Sequence, residues 1–172
     1  MRPGYWLLYI LMLTVQVLLG NFLNLGQYVV ICILPLLVLS LPLAYNSILV
    51  MVAAFLTGLA ADFFTHGILG LSAAALVPVA FIRRWVFSLV FGAEIFTRGE
   101  RLSLQKQGFL KMALAILIST AVYFAIFTWT DAAGTRSLEF NTLRWLFSTL
   151  ASTAAQLMLA GFLISEETAR WK

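Results

Sequence analysis

The chain has 172 residues, of which 62% are hydrophobic and 10% charged, and its formal net charge is +4. Soluble domains are about 45–50% apolar and about 25% charged, and a domain of this length has too little interior to hide the excess apolar surface from water. The composition therefore excludes an ordinary water-soluble domain. It predicts a single integral membrane domain over residues 1–172, with lipid as the main solvent.

Six apolar segments follow one another along the chain and predict an all-α bundle of six transmembrane helices. A membrane-spanning helix needs about 20 residues, so the last two segments are long enough, whereas the first, second and fourth are short. The short segments predict helices that extend into their flanks, tilt little or enter the membrane only in part. The six segments cover residues 5–19, 28–43, 47–64, 69–82, 109–129 and 143–164.

Residues that favour turns separate the first four segments from one another. Asn24 follows the first segment, Pro42 lies at the end of the second, and Gly67 lies between the third and the fourth. Pro35 lies inside the second segment, where it predicts a kink because proline removes a backbone donor. The connections are short, so neighbouring helices are predicted to run antiparallel.

The distribution of basic residues predicts the orientation. If the N-terminus is cytoplasmic and six helices cross the membrane, nine of the eleven Lys and Arg residues face the cytoplasm. Only Arg136 and Arg144 then lie on the outer side. We therefore expect both termini to be cytoplasmic. The positive charge is explained by this orientation and does not indicate a nucleic-acid partner.

The longest connection runs from Arg83 to Lys111 and is predicted to face the cytoplasm. Its first part, residues 85–96, fits either an interfacial helix or the end of a longer fourth helix, and the sequence leaves both open. Its basic residues either form a surface for cytoplasmic partners or serve only to set the orientation. The candidates for such a surface are Arg83, Arg84, Arg98 and Arg101.

Asp62 is the acidic residue that lies clearly inside an apolar segment, which makes it a candidate functional residue. Ala54, Gly58 and Asp62 are spaced by four and share one helix face, whose small residues allow close packing on another helix. The position of Asp62 near the outer end of its helix favours a structural role. It would accept hydrogen bonds from the turn over 65–70 or from the start of the next helix. The alternative is a proton, ion or partner site.

Polar residues in two other segments predict contacts between helices. Gln16 in the first segment is expected to form an interhelical hydrogen bond, because a lone amide in lipid needs a partner. Ser148, Ser152 and Gln156 are spaced by four and predict a polar stripe on the sixth helix. This stripe would serve helix packing or, alternatively, line a cavity for a small ligand.

No pattern typical of an enzyme is found. Cys32 is the only cysteine and His66 the only histidine, so neither a disulfide within the chain nor a His/Cys metal cluster is expected. The sequence contains no phosphate-binding loop and no nucleophile elbow. We therefore predict a protein without catalytic activity, cofactor or metal.

The central stretch combines three short motifs in a fixed order. Leu41-Pro42 precedes the third segment, this segment contains Gly58-Leu59-Ala60-Ala61-Asp62 near its end, and a glycine turn over Gly67-Ile68-Leu69-Gly70 follows. This arrangement resembles the rod shape-determining protein MreD family, and Gln16 also matches the family pattern. The resemblance is sharpest over residues 41–82. Elsewhere it depends on the number, spacing and length of the apolar segments.

The resemblance implies a non-catalytic scaffold of the bacterial cell-elongation machinery, which directs peptidoglycan synthesis from the cytoplasmic membrane. Proteins of this family bind the bitopic protein MreC, and through it the actin-like MreB filament and the peptidoglycan synthases. Their fold resembles that of the substrate-binding subunits of energy-coupling-factor transporters. A vitamin-binding subunit of such a transporter is therefore the alternative function, with Asp62 and the polar stripe lining its cavity.

Overall fold

The structure is a computed structural model that describes residues 3–22, 26–42, 45–65, 68–92 and 108–165. Within these ranges the chain forms six helices and no strand, so the predicted all-α class is confirmed. The helices are α1 (Pro3–Phe22), α2 (Leu34–Ser40), α3 (Ser47–Thr65), α4 (Leu71–Phe91), α5 (Phe109–Ala132) and α6 (Leu138–Ser165).

Three helices, α3, α4 and α5, are long and apolar enough to cross a membrane. Large apolar side chains face outward, with Ile48 74% and Leu89 79% exposed, whereas the polar side chains of Asp62, Ser148 and Gln156 are fully buried. A water-soluble fold would have the opposite distribution, because exposed apolar patches of this extent are unfavourable in water. The distribution indicates a membrane protein, as the composition predicted.

The second apolar segment differs from its prediction as one kinked helix over 28–43. Residues 26–33 are not helical, and α2 begins only at Leu34. Pro35 is the second residue of α2, where a missing N–H removes no intrahelical hydrogen bond, so the proline starts the helix and does not kink it. Residues 34–39 are all buried, which makes α2 an internal helix with no face toward lipid.

The short helix α2 lies at the centre of the bundle and contacts each of the other five helices. Around it, α1 packs on α3, α3 on α4, α4 on α5, and α5 on α6. The helices α1 and α6 are therefore the two ends of this order.

Contacts between helices give their directions. Tyr9 on α1 is hydrogen-bonded to Thr57 on α3 at 2.7 Å, and Asn21 donates to the carbonyl of Phe64 at 3.0 Å, so α1 and α3 run parallel. The connection over residues 23–46 must therefore return the chain from the end of α1 to the opposite end of the bundle. We call the end formed by Phe91 and the start of α5 the inner end. The outer end holds the C-terminal ends of α1 and α3 and the N-terminal ends of α4 and α6.

The fourth helix is longer than the predicted segment over 69–82, since it continues without interruption from Leu71 to Phe91. Of the two alternatives for the stretch after Arg84, the extension of the fourth helix is therefore confirmed as far as Phe91. Residues 93–96, the last part of that stretch, lie outside the described residues.

Candidate functional site

The non-helical residues 28–33, which we call the extended segment, are held along α6 by its polar stripe. The Ser148 hydroxyl accepts a hydrogen bond from Val30 N–H at 3.0 Å and donates to the Tyr28 carbonyl at 3.3 Å. The Ser152 hydroxyl accepts from Cys32 N–H at 2.9 Å and donates to the Val30 carbonyl at 3.1 Å. Each serine thus satisfies one backbone donor and one backbone acceptor.

Two glutamines complete the hydrogen bonds at the inner end of the extended segment. Gln156 Nε2 donates to the Cys32 carbonyl at 2.8 Å, and its Oε1 accepts from the Thr120 hydroxyl at 3.1 Å. Gln16 Oε1 accepts from Ile33 N–H at 2.6 Å, directly before α2 begins. The hydrogen bond predicted for Gln16 therefore joins α1 to the backbone at the start of α2. Its partner is a backbone N–H group and not a side chain of a neighbouring helix.

The spacing of the stripe explains why a helix can supply the hydrogen bonds that a neighbouring β-strand would otherwise supply to the extended segment. Four residues of α-helix rise about 6 Å, and two residues of extended chain rise about 6.6 Å. Residues spaced by four on α6 therefore meet every second residue of the extended segment. In lipid every backbone polar group needs a protein partner. Of the two alternatives for the stripe, the structure supports packing, with the chain's own backbone as the bound group.

Asp62 binds the first turn of α4 from the end of α3. Its fully buried carboxylate accepts hydrogen bonds from the N–H groups of Gly70 at 3.0 Å, Ser72 at 2.9 Å and Ala73 at 3.4 Å. The first N–H groups of a helix have no partners within it, and they carry partial positive charge. This is the structural role considered for Asp62 from the sequence.

The seam between α3 and α4 is closed at Gly58. A Cβ atom at this position would lie 2.4 Å from Ala73 Cα, so the two helix backbones are in direct contact. Ala54, one turn earlier, is fully buried. At the start of α4, Gly70 has a φ of +97°, a conformation that glycine adopts without strain. The predicted face of small residues is thus a close helix–helix contact.

Arg83 is not on an exposed cytoplasmic surface, which corrects its assignment as a candidate partner-binding residue. Its side chain is only 5% exposed, and its Nη2 donates to the carbonyls of Leu39, at 3.2 Å, and Leu41. The guanidinium also lies 5.1 Å from the centre of the Phe87 ring. Arg83 therefore binds the free carbonyls at the end of α2, where a positive charge is favourable.

The other predicted site residues are placed as follows. Pro42 follows Leu41, the C-cap residue of α2, and its carbonyl accepts a hydrogen bond from Tyr45 N–H at 3.3 Å on the way to α3. Arg84 is exposed on α4. The remaining predicted site residues, Gly67, Arg98 and Arg101, lie outside the described residues.

A cavity of about 280 Å³ lies at the outer end of the bundle. Asp62, Ser148, Ser152 and Gln156 are not part of its wall, so the cavity predicted for a vitamin-binding subunit is not formed by those residues. Its wall comes from the end of α1, the extended segment, the start of α2, the end of α3, the start of α4, α5 and the two arginines of the outer side. Residues of the wall include Gln16, Asn21, Gln27, Ile31, Thr65, Ser72, Tyr123, Phe127, Arg136 and Arg144.

The arginines of this cavity were visible in the sequence only as charges on the outer side. Arg144 forms an ion pair with Asp131 at 2.5 Å, which links the end of α5 to the start of α6. The Arg136 guanidinium lies 4.9 Å from the centre of the Phe140 ring. The tertiary structure places Arg136 and Arg144, which follow the turn after α5, in the wall of the same cavity as the end of α1.

Within the part of the chain that the structure describes, no group of three or more His, Cys, Asp and Glu residues is arranged to hold a metal ion. Comparison of the chain with protein-family models, with curated proteins and with solved structures finds no match in any of the three.

Proposed function

We propose that this chain is a non-catalytic scaffold of the MreD kind in the bacterial cytoplasmic membrane. It would hold an MreC-like bitopic protein and, through it, an MreB-like filament and the peptidoglycan synthases. The proposal draws support from the residues that carry the resemblance, because each of those described here fixes backbone at a helix end or a helix seam. These residues are Gln16, Pro42, Gly58, Asp62 and Gly70.

Six crossings with both termini in the cytoplasm are part of the proposal. The parallel direction of α1 and α3 requires the chain to return between them. The non-helical residues 26–33 and the seven residues of α2 together can reach about 30 Å, the thickness of the hydrocarbon core. The extended segment and α2 together are therefore long enough to make this crossing, and the α6 stripe supplies the partners that non-helical backbone needs in lipid.

The observation that carries a docking site is the incomplete wall between α1 and α6. These helices are the ends of the packing order, and the extended segment lies between them. Ala151 and Ala155 on α6 are half-buried beside Ser148 and Ser152. Small residues allow a second helix backbone to approach closely, which is how helices associate in lipid. We place the single membrane helix of the partner along this α1/α6 face.

Site-specific photo-crosslinking tests this placement. The chain is co-expressed with the MreC-like protein of the same organism, with benzoylphenylalanine replacing Phe147, which is exposed on α6. The matched control has the same replacement at Phe81, which is exposed on α4, away from the proposed face. We expect crosslinks to the partner's membrane helix from position 147 only.

Two outcomes would reject the proposal. Equal crosslinking from positions 147 and 81 would reject the α1/α6 face. Failure of the two proteins to purify together, or recovery of a coupling ATPase in place of the bitopic partner, would reject the scaffold itself.

Arg84 belongs to the proposed cytoplasmic surface together with Arg98 and Arg101. It is exposed on the part of α4 that approaches the inner end. Basic side chains next to a membrane helix attract anionic lipid headgroups and acidic protein surfaces. These residues are therefore proposed to contact the cytoplasmic partners or the lipid surface, and they indicate no nucleic-acid partner.

A further inference from the structure

The two basic residues that depart from the positive-inside pattern both line the outer cavity. In the proposed orientation nine of the eleven Lys and Arg residues face the cytoplasm, and the exceptions are Arg136 and Arg144. Both belong to the wall of the cavity. Positive charge on the outer side works against the orientation of the chain. A local use for these two side chains would explain why they are there.

Arg144 keeps donors available although it is paired. The residue is 9% exposed, one terminal nitrogen binds Asp131, and its Nε is covered by protein, so a ligand reaches Arg144 only through its terminal nitrogens. A guanidinium has five N–H donors, four of them on the terminal nitrogens, so one ion pair does not use them all. The cavity thus has two guanidinium groups close to it, whereas only one of them is neutralised by a carboxylate. The Asp62 carboxylate lies behind the wall residue Ser72, from whose N–H it accepts a hydrogen bond, so the arginine of the wall without a carboxylate partner among the described residues is Arg136.

The extended segment contributes a second set of polar groups. Residues 28, 30 and 32 direct their backbone groups to α6, so the alternate residues Val29 and Ile31 direct theirs to the opposite side. Val29 and Ile31 both line the cavity. The polar residues Gln16 and Gln27 are part of the same wall. These groups suit the hydrogen bonds of a polar ligand.

The cavity is open at one end and apolar in part. Gln27 and Arg136 in its wall are exposed, whereas Leu34 and Tyr123 are buried, so its mouth is at the outer end of the bundle. Leu34 and Phe127 give the buried part an apolar surface. A volume of about 280 Å³ is at the lower end for ligand pockets and fits a small molecule.

We propose that the outer cavity binds a small organic carboxylate. A planar carboxylate matches the planar fork of a guanidinium and accepts two parallel hydrogen bonds from it. The Arg136 guanidinium in the wall repels a cation, and a wholly apolar ligand would form no hydrogen bond with either arginine. The hydrocarbon part of the ligand would contact Phe127 and Leu34. This inference concerns the outer end of the protein and goes beyond the scaffold function proposed above.

Binding of 4-fluorobenzoate to the full chain, purified in a neutral detergent, tests the proposal by fluorine NMR. The neutral analogue 4-fluorobenzyl alcohol has the same ring and lacks the carboxylate. We expect saturable binding of 4-fluorobenzoate and much weaker binding of the alcohol. Arg136→Gln should weaken benzoate binding by about tenfold, since it removes one charge-assisted contact. Lys111→Gln removes the same charge from an exposed residue of α5 near the inner end and should leave binding unchanged.

Arg144 is tested in two forms because it also stabilises the fold. Arg144→Lys keeps the charge and removes the planar fork, and Arg144→Gln removes both. We expect the first to weaken 4-fluorobenzoate binding severalfold and the second to abolish it, in protein that elutes as a single species. No saturable binding by the unaltered chain, equal binding of the alcohol, or an equal loss in Lys111→Gln would overturn the proposal.

The preference of the cavity for anions can be measured without a carboxylate ligand. In a Cys32→Ala background, a cysteine replacing Val29 is treated with an anionic and with a cationic methanethiosulfonate of similar size. We expect the ratio of anionic to cationic rates to exceed the ratio at a control cysteine replacing Ser137, which lies outside the cavity wall. Arg136→Gln should lower the ratio severalfold. A higher rate for the cationic reagent at position 29 than at the control position would contradict an anion site.

Discussion

The hydroxyl of Ser152 on α6 accepts a hydrogen bond from the backbone N–H of Cys32 at 2.9 Å. The same hydroxyl donates to the carbonyl of Val30, so a single side chain satisfies two backbone groups of the extended segment. Ser148 does the same one turn earlier. A polar helix face thereby supports non-helical backbone inside a bundle whose exterior is apolar.

Ser152→Ala is expected to destabilise the protein by about 1–3 kcal/mol, because it leaves a buried donor and a buried acceptor without a partner. The measurement is thermal unfolding in mild detergent. Ser88→Ala, which removes an exposed hydroxyl from α4, is the control and should leave the melting temperature unchanged. Equal melting temperatures for Ser152→Ala and the parent protein would show that the stripe does not hold the segment.

Gly58→Ala is expected to destabilise by about 2 kcal/mol or more, since overpacking a tight interface typically costs about 1–3 kcal/mol. The added Cβ would meet the Ala73 backbone at 2.4 Å, and backbone cannot rotate away. Gly20→Ala is the matched control, because its Cβ meets a methyl group of the Thr65 side chain. Its melting temperature should fall less. A larger loss in Gly20→Ala would argue against the close α3–α4 seam.

Asp62→Ala is expected to lower folding and the amount of assembled protein, because three N–H groups at the start of α4 lose their acceptor. Hydrogen bonds to a charged group contribute about 1.5–3 kcal/mol. Protein level in the membrane and thermal unfolding are the readouts. Glu139→Gln neutralises an exposed carboxylate in the first turn of α6 and should have a much smaller effect than Asp62→Ala. Normal level, stability and partner binding in Asp62→Ala would refute the structural role.

Arg83→Gln and Arg84→Gln separate a structural arginine from a surface arginine. Arg83→Gln should lower the melting temperature, since it weakens the binding of the buried carbonyls that end α2. Arg84→Gln changes an exposed residue, so it should lower the melting temperature less than Arg83→Gln does and, on the proposed function, weaken association with the cytoplasmic partners. An equal fall in the melting temperature of both variants would contradict a buried position for Arg83 and an exposed position for Arg84.

The six proposed crossings are tested by labelling single cysteines in whole cells. In a Cys32→Ala background, a cysteine at Ser137 should react with a membrane-impermeant maleimide added outside. A cysteine at Ser103 should react only after the membrane is opened, because the basic connection that contains it is expected to face the cytoplasm. Labelling of both positions from the same side would reject the proposed topology.

Several local features followed from the sequence because they depend on spacing along one helix. The face formed by Ala54, Gly58 and Asp62 is set by the helical repeat, and so is the stripe of Ser148, Ser152 and Gln156. The sequence did not predict that this stripe binds the backbone of the extended segment. An apolar run such as residues 28–43 has the same composition whether it is helical or extended. It also missed Arg83, because a charge next to a helix end looks exposed until its neighbours are known.

The sequence by itself determined the solvent of this protein and its class, because apolar content and the lengths of apolar runs decide whether lipid or water surrounds the helices. Only the tertiary structure decided that the second segment lies inside the bundle, and that Arg136 and Arg144 meet the end of α1 in one cavity. The physical reason is that these contacts join residues far apart in the chain. No local periodicity encodes them, since they arise from which polar groups remain unsatisfied once the helices pack.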